Sequence, residues 1–509
     1  MGKKYLYGFR VQGIQEFIFE TGKLKEIITA SELVEQVCTD AIRQAMGPAF
    51  NDERLIQGAA GKIKYLFEDY DQCKNIVYTF PKSILGLAPG ISVCQAVVDF
   101  SGELMQEHLI ELEYLLDAQR NKLPVQHGQC LMISEQSRRT GKAGVDWILD
   151  DDGEKIVIDK LQKVKLNLYQ DNKRRGGQDR LSKKIAGDNA HYSFAVDINE
   201  ITEDGWLAIV HADANSLGKT IQGLFSAGQR VDADMPKVLK RLSSNIEEAN
   251  QAAARRALDF VMNKHNIPEN KIPLRPVILG GDDLSLIIRG DLALDFTSEY
   301  LKNFEKETRN RMSKELSLSS LRDGLTACAG IAYIKPNYPF HYGVDLAGET
   351  LCPYAKDVAK KIKEEKGLGH VPSCLSFHKV QSSFVEDYKK IVQRELTAGS
   401  GEETVRFNYG PYFTQLQEEY ARLSELTNWV DIIRKDDAPK SSVRQWLSEL
   451  HNNRPAADQM MERIKNMNPS YIQRLGLNKP FTERKSIIDD GGKKEKFTHL
   501  FDVLTIASI

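Results

Sequence analysis

Four consecutive residues, Gly280, Gly281, Asp282 and Asp283, have the types and the order needed to hold divalent metal ions. They lie between two apolar runs, 275–280 and 284–290, that have the length and β-branched content of buried strands. We predict a tight hairpin turn, in which glycine permits positive φ and lets the backbone approach phosphate oxygens. The carboxylates would then project from a rigid tip over a nucleoside triphosphate. An acidic surface turn is the alternative, because Gly and Asp both favour turns.

A third carboxylate, Asp213, follows the apolar run 206–210 and precedes Asn215 and a predicted helix start near Ser216. An Asp at the end of a buried strand, beside a helix N-terminus, is well placed to bind a metal ion. Asp213 could instead cap the helix, although Asn215 and Ser216 are better placed to do so. The sequence therefore favours metal binding by Asp213.

The elements around these residues predict how they come together. Residues 238–266 are predicted to form one long helix, and the hairpin is followed by a helix from Leu292 to about Lys314. A strand over 325–334 and a second helix from His341 to about Lys363 complete the series. The order β-α-β-β-α-β is ferredoxin-like, and its first strand lies beside the hairpin. We therefore expect the three carboxylates to converge, as in the palm of nucleotide cyclases and polymerases.

The N-terminal third repeats this order, which indicates an internal duplication. A strand over 4–11, helical material over 13–46, a hairpin over 54–69, a helix over 70–87 and a strand over 91–100 are predicted. The run Gly58-Ala59-Ala60-Gly61 stands where the other half carries the Gly-Gly-Asp-Asp sequence. Because the turn of this hairpin has no acidic residues, it cannot hold metal ions in the same way. The first palm is therefore predicted to be degenerate.

Together these motifs resemble the palm-domain large subunit of type III CRISPR effector complexes, the Cas-ten-type cyclic oligoadenylate synthases. The resemblance is strongest over residues 206–383, weaker over 5–143 and faint beyond 410. It is carried by the Gly-Gly-Asp-Asp hairpin, Ala212-Asp213-Ala214-Asn215, the strand at 328–334, Tyr354-Ala355-Lys356 and Ser376-Phe377-His378. The chain begins directly with the first palm strand, so the resemblance implies a variant without the N-terminal histidine-aspartate nuclease domain.

The resemblance implies a role for each site residue. Asp213, Asp282 and Asp283 would be catalytic and would hold two Mg²⁺ or Mn²⁺ ions. The implied nucleotide-binding residues are Gly280, Gly281, Ser31 in the Ala30–Leu33 run, Lys356 and Asn215. The alternatives without a role in nucleotide binding are a helix-interior serine for Ser31 and an ordinary lysine of an amphipathic helix for Lys356.

The implied function is a nucleotidyltransferase that converts ATP to cyclic or linear oligoadenylate in CRISPR-type antiviral defence. Its implied partners are the subunits of a guide-RNA complex and target RNA. Two alternatives remain open: a scaffold that binds RNA or protein with little synthase activity, and a stand-alone GGDEF-like nucleotide cyclase.

The predicted fold class is α+β, with two ferredoxin-like palm domains, helical additions and a C-terminal α-helical domain. The expected boundaries are 1–104 for the degenerate first palm and 105–195 for an inter-palm helical and linker region. The second palm would occupy 196–400 and the helical domain 401–509. Within the inter-palm region, the polar stretch 168–191 is predicted to be a linker or loop.

Composition narrows the function classes. The chain of 509 residues has a net charge of -2, so no strong overall field attracts it to nucleic acid or membranes. A membrane span is not expected, because no apolar run reaches about 18 residues. Seven cysteines without a CxxC pair argue against a structural zinc ribbon and favour a reducing cytoplasm.

Overall fold

The first ferredoxin-like unit is built on a four-stranded antiparallel sheet. The computed structural model describes residues 2–121, 133–149, 153–174, 179–218, 235–314, 321–381, 387–399, 404–415, 420–485 and 494–509. The strands are β1 (Lys3–Gln12), β2 (Leu55–Ala59), β3 (Lys62–Phe67) and β4 (Ser92–Ser101). The helices are α1 (Ile14–Phe19), α2 (Leu24–Gln36), α3 (Ile42–Met46) and α4 (Tyr70–Leu87). The strand order β2-β3-β1-β4 is the one that the β-α-β-β-α-β pattern predicted.

The segment between the two palms is more helical than its polar composition suggested. It contains α5 (Gln106–Arg120), β5 (Gly144–Leu149), β6 (Lys155–Asp159), α6 (Lys160–Arg174), α7 (Arg180–Ala186) and α8 (Ile198–Ile201). The predicted linker over 168–191 is therefore wrong for α6 and α7. Asp179 caps α7 by accepting a hydrogen bond from the Ser182 N–H at 3.1 Å, and Leu181 and Ile185 are buried. A few buried apolar side chains and one cap are enough to order a charged helix.

The second ferredoxin-like unit contains the predicted acidic hairpin. Its elements are β7 (Leu207–Ala214), α9 (Met235–His265), β8 (Leu274–Gly280), β9 (Asp283–Arg289), α10 (Gly290–Met312) and β10 (Ala327–Ile334). They continue with α11 (Phe340–Asp345), α12 (Cys352–Lys366) and β11 (Cys374–Lys379), and the π-helical turn Leu346–Leu351 joins the two helices. The order β8-β9-β7-β10 is again ferredoxin-like, and β11 adds a strand parallel to β10.

Both faces of the second sheet are covered, which explains why β7 is apolar almost throughout. On one face, Ala208 and Val210 pack in a core that contains residues of α9 and α10. On the other face, Leu207 and Ile209 share a core with residues of the first palm, including Ile27 of α2. The two palms therefore form one packed body.

The C-terminal region is helical, as predicted, and it also contains short strands that helical periodicity did not reveal. Its elements are α13 (Tyr388–Glu395), β12 (Thr397–Ala398), β13 (Val405–Arg406), β14 (Tyr412–Phe413), α14 (Leu423–Ile433), α15 (Lys440–Asn452), α16 (Arg454–Met467), α17 (Pro469–Ile472), β15 (Thr482–Lys485), β16 (Lys494–Phe497) and α18 (Leu500–Ala507). β14 extends the second sheet next to β11, and a separate sheet has the order β12-β13-β16-β15. No helix in the described ranges is long and apolar enough to cross a membrane.

Candidate active site

The acidic hairpin has the tight turn that its sequence predicts. β8 and β9 pair antiparallel, and Gly280 and Asp283 form the last pair before the turn, which leaves Gly281 and Asp282 at the tip. Gly281 has a φ of 58°, in the left-handed region that favours glycine. The turn therefore places Asp282 at the tip of the hairpin and Asp283 at its base.

A buried asparagine braces this hairpin from behind. Asn250 of α9 is fully buried, and its Nδ2 donates hydrogen bonds to the carbonyl oxygens of Gly281 at 3.1 Å and Asp283 at 2.9 Å. The Tyr300 hydroxyl in turn donates to Asn250 Oδ1 at 3.0 Å. The role of Asn250 was not predicted from the sequence, although a lone amide between Ala249 and Ala253 on the buried stripe of α9 is a signal for it.

The three predicted carboxylates converge. Asp213 is the penultimate residue of β7, next to β9 in the sheet. One carboxylate oxygen from each of Asp213, Asp282 and Asp283 lies within 4.8 Å of the others. We call these three residues the carboxylate cluster.

A lysine enters the carboxylate cluster from α12. Lys356 Nζ forms an ion pair with Asp213 and donates a hydrogen bond to the Ala214 carbonyl at 3.1 Å. The approach of this helix depends on Gly330 of β10, because a β-carbon there would lie 2.2 Å from the Ala347 carbonyl oxygen. Packing therefore requires glycine at position 330. Because Gly330 has no side chain, the π-helical turn that leads into α12 can lie against the sheet.

The electrostatics of the carboxylate cluster fit a bound cation. Burial and then the charges of Asp282 and Asp213 raise the pKa of Asp283 to about 8. Burial and then Asp213 also raise the pKa of Asp282. Burial would lower the pKa of Lys356, but the Asp213 carboxylate outweighs it, so that pKa is raised. The site thus has more negative charge than its own lysine neutralises, and its all-oxygen donor set suits Mg²⁺ or Mn²⁺.

The carboxylate cluster borders a cleft that both palms line. The cavity has a volume of about 790 Å³, and its walls include Ser31, Ala60, Val277, Gly280 and Asp283. The Ser31 hydroxyl, on α2, donates a hydrogen bond to the Val277 carbonyl of β8. Ser31 therefore lies in the cleft wall.

The tips of the two hairpins touch. A β-carbon on Gly280 would lie 3.5 Å from the Ala60 backbone nitrogen, and one on Gly281 would lie 3.7 Å from the Ala60 β-carbon. Both hairpins line the same cleft, because Ala60, Gly280 and Asp283 all belong to its walls. The tips are therefore in van der Waals reach of each other.

The structure places Asn215 away from the cleft walls. Its Nδ2 donates to Thr326 Oγ1 at 3.0 Å, and its backbone N–H donates to the Thr326 carbonyl at 2.8 Å. Asn215 is buried and thus anchors the end of β7 to the segment that precedes β10. Its role in nucleotide binding stays a prediction that its placement does not support.

His211 is a cleft residue that sequence analysis did not single out. It lines the cavity two residues before Asp213, and its Nδ1 lies 2.7 Å from Ser285 Oγ. Burial lowers the pKa of its imidazole, although Asp213 opposes this effect. A neutral imidazole at this position can accept or donate a hydrogen bond to a ligand in the cleft.

Known proteins share both the palm and the overall arrangement. Residues 206–363 match the model of the Cas10/Cmr2 second palm domain. The crystal structure of a Csm1-Csm4 cassette in complex with cA3 has a TM-score of 0.51 at 10% identity, over 100% of this chain and 70% of that chain. The cassette in complex with pppApA also gives 0.51, at 12% identity and with the same coverage.

A third solved structure, Csm1 in T.onnurineus, has a TM-score of 0.50 at 12% identity, again over 100% of this chain and 70% of that chain. The apo Csm1-Csm4 cassette is matched over only 54% of its own chain. No curated protein matches the sequence. The chain therefore has the fold of Csm1, and residues 206–363 form a domain similar to the Cas10/Cmr2 second palm.

Proposed function

We propose that the protein is a metal-dependent nucleotidyltransferase that joins ATP molecules into cyclic or linear oligoadenylates. The observation that carries this proposal is the carboxylate cluster at a hairpin tip beside a cleft large enough for nucleotides. A scaffold has no need for three acidic side chains within 4.8 Å of one another, because their mutual repulsion destabilises the fold. Binding of a catalytic cation would explain why the three carboxylates lie together.

Each side chain has a distinct task in this proposal. Asp213, Asp282 and Asp283 would hold two divalent ions, which lower the pKa of an attacking 3′-hydroxyl and neutralise charge on the α-phosphate and pyrophosphate. Lys356 is free to exchange its contact with Asp213 for a phosphate oxygen once cations occupy the carboxylates. Gly280 and Gly281 let a triphosphate approach the backbone, and Ser31 offers a hydroxyl to a nucleotide in the cleft.

Similar proteins support the substrate class and the partners. Solved Csm1-Csm4 cassettes contain AMPPNP, pppApA or cA3, and the match to each has a TM-score of at least 0.50. By this likeness, we propose ATP as substrate, oligoadenylate as product and a guide-RNA complex as the assembly in which the chain works. Subunits of such a complex and target RNA are the proposed partners in antiviral defence.

The test is synthesis by the purified full-length chain with Mg²⁺ or Mn²⁺. Each nucleoside triphosphate is supplied separately, and products are identified by mass spectrometry. We expect oligoadenylates from ATP, and a loss of at least ~10³-fold in rate for Asp282→Asn with Asp283→Asn and for Asp213→Asn. The matched control is the exposed pair Asp436→Asn with Asp437→Asn, which should retain the wild-type rate.

The outcomes separate the candidate functions. Product from GTP alone, or a cyclic mono- or dinucleotide, would favour a stand-alone GGDEF-like cyclase. Wild-type-like synthesis by the Asp282 and Asp283 double variant would refute the assignment of the carboxylate cluster. RNA binding without product, together with nucleotide binding that the double variant leaves unchanged, would favour a scaffold.

A further inference from the structure

The two hairpins have the same register, and this alignment differs by one residue from the one that the sequences suggest. In the first palm the pair that closes the turn is Ala59 and Lys62. In the second palm the corresponding pair is Gly280 and Asp283. Each turn then has two residues, and Lys62 occupies the position that Asp283 holds in the other palm. The first palm therefore carries a cation at the position of a predicted metal ligand.

Lys62 lies next to the acidic tip. Together with Gly281 and Asp282 it lines a second cavity of about 410 Å³. Ala60 contacts the glycines of the second palm, and only one residue separates Ala60 from Lys62. This contact therefore keeps the Lys62 backbone near the acidic tip. Burial and neighbouring carboxylates raise the pKa values of Asp282 and Asp283. Among the cations that oppose this rise, Lys62 has a larger effect than Lys356 on both groups.

Two neighbouring cations on this sheet, Lys64 and Arg10, form ion pairs with carboxylates, whereas Lys62 forms none among the described residues. Lys64 Nζ lies 2.7 Å from a Glu113 carboxylate oxygen. Arg10 pairs with Glu113 and lies 2.9 Å from Asp117. Lys62 is exposed and has no ion pair in the part of the chain that the structure describes. A free ammonium next to a proposed metal site is suited to an anion.

We propose that Lys62 binds the polyphosphate of a nucleotide at the carboxylate cluster, so that the degenerate first palm contributes a cation to the second palm's site. This inference rests on the proposed function. A lysine is a compact point charge on a flexible four-carbon stem, and it can follow phosphate oxygens over several positions. The first palm thus complements the acidic hairpin in charge, because it supplies positive charge where a second set of carboxylates would repel the substrate.

The experiment compares Lys62→Gln, Lys62→Arg and the control Lys64→Gln in the full-length chain. Lys62 and Lys64 lie two residues apart on β3, line the same cavity and carry the same charge, so both Gln variants change the net charge equally. Affinity is measured by calorimetry in Mn²⁺ for α,β-methylene-ATP and for AMP. The KM and kcat of ATP consumption are measured in parallel.

We expect Lys62→Gln to weaken binding of the triphosphate analogue about 10-fold, as for one charge-assisted hydrogen bond, and to weaken AMP binding less than 2-fold. KM should rise by a similar factor, with a smaller change in kcat. Lys62→Arg should restore most of the affinity, and Lys64→Gln should stay within 2-fold of the wild type.

The inference is overturned if both Gln variants lose the same affinity, which would indicate a general field effect, or if Lys62→Gln binds the analogue normally. It is also overturned if AMP and the triphosphate analogue lose affinity equally. The proposed function fails separately, in the wild type itself, if that protein binds no nucleotide or makes no oligonucleotide. A wild type that binds nucleotide without synthesis would still allow the Lys62 inference to be decided by affinity.

Discussion

Replacing Asp282 and Asp283 together by asparagine should stabilise the metal-free protein. The carboxylate oxygens of the cluster lie within 4.8 Å of one another, and two unit charges at that separation would repel by about 3.5 kcal/mol at an effective dielectric constant of about 20. Because the pKa of Asp283 is raised to about 8, proton uptake relieves part of this repulsion near neutral pH. The ion pair of Lys356 with Asp213 offsets part of this repulsion, and solvent in the cleft screens more of it. We therefore expect a gain of about 1–3 kcal/mol in the free energy of unfolding for the double variant.

Divalent metal should offset this difference in stability. A cation that binds only the native state at 100 times its Kd adds about 2.7 kcal/mol. For a cooperative unit of about 200 residues, each kcal/mol shifts Tm by about 2–4 °C. The wild type should therefore gain roughly 5–10 °C in Mn²⁺, whereas the Asp282 and Asp283 double variant should gain little because it lacks two of three ligands.

The assay is thermal unfolding in EDTA and across a Mn²⁺ titration. The control variant, Asp436→Asn with Asp437→Asn, removes an exposed adjacent pair and should follow the wild type in both conditions. The electrostatic reasoning is refuted if the Asp282 and Asp283 variant melts below the wild type in EDTA. The metal assignment is refuted if this variant and the wild type show the same Mn²⁺ shift.

Two further predictions concern the fold around the site. His499 is buried, and burial lowers its pKa from 6.5 to about 4, so the unfolded chain binds its proton more tightly and stability falls as pH drops through that window. Between pH 6.5 and 5 the free energy of unfolding, measured by chemical denaturation, should fall by about 2 kcal/mol because of His499. This fall should be smaller in His499→Phe and unchanged in the exposed control His370→Phe. Gly330→Ala should destabilise the protein by about 2 kcal/mol or more and lower activity, because its β-carbon would meet backbone atoms. Gly86→Ala, in α4 with nothing within 4 Å of the added carbon, should be neutral or stabilising; equal melting of the two alanine variants would contradict the packing argument.

Local sequence signals were sufficient for the elements that carry the carboxylates. Two apolar runs around a Gly-containing turn predict a hairpin, and strand–helix order limits the topology to few choices. The predicted convergence of Asp213 with Asp282 and Asp283 followed from that topology, and the structure confirms it. Composition alone did not predict α7 correctly, because its order depends on the cap at Asp179 and on contacts distant in sequence.

The register of the hairpin strands and the contacts between residues distant in the chain could not be predicted from the sequence. Matching glycines aligned Gly58 with Gly280, whereas the strand pairing aligns Ala59 with Gly280. A single-residue shift changes which side chain stands at the base of the turn, and here it exchanges a glycine for Lys62. Asn250 likewise reads as an ordinary helix residue until α9 is seen to pack behind the hairpin.

The duplication has a structural reason that is independent of chemistry. Leu207, Ile209 and Ile287 lie on the face of the second sheet that packs in the shared core with Ile27 of the first palm. Without the first palm, these side chains would be exposed, and each would lose about 1.5–3 kcal/mol of burial. The first palm is therefore needed for packing whether or not its hairpin carries carboxylates. Its hairpin also contacts the acidic tip, and Lys62 at the base of that hairpin is the charge that we propose binds an anionic substrate.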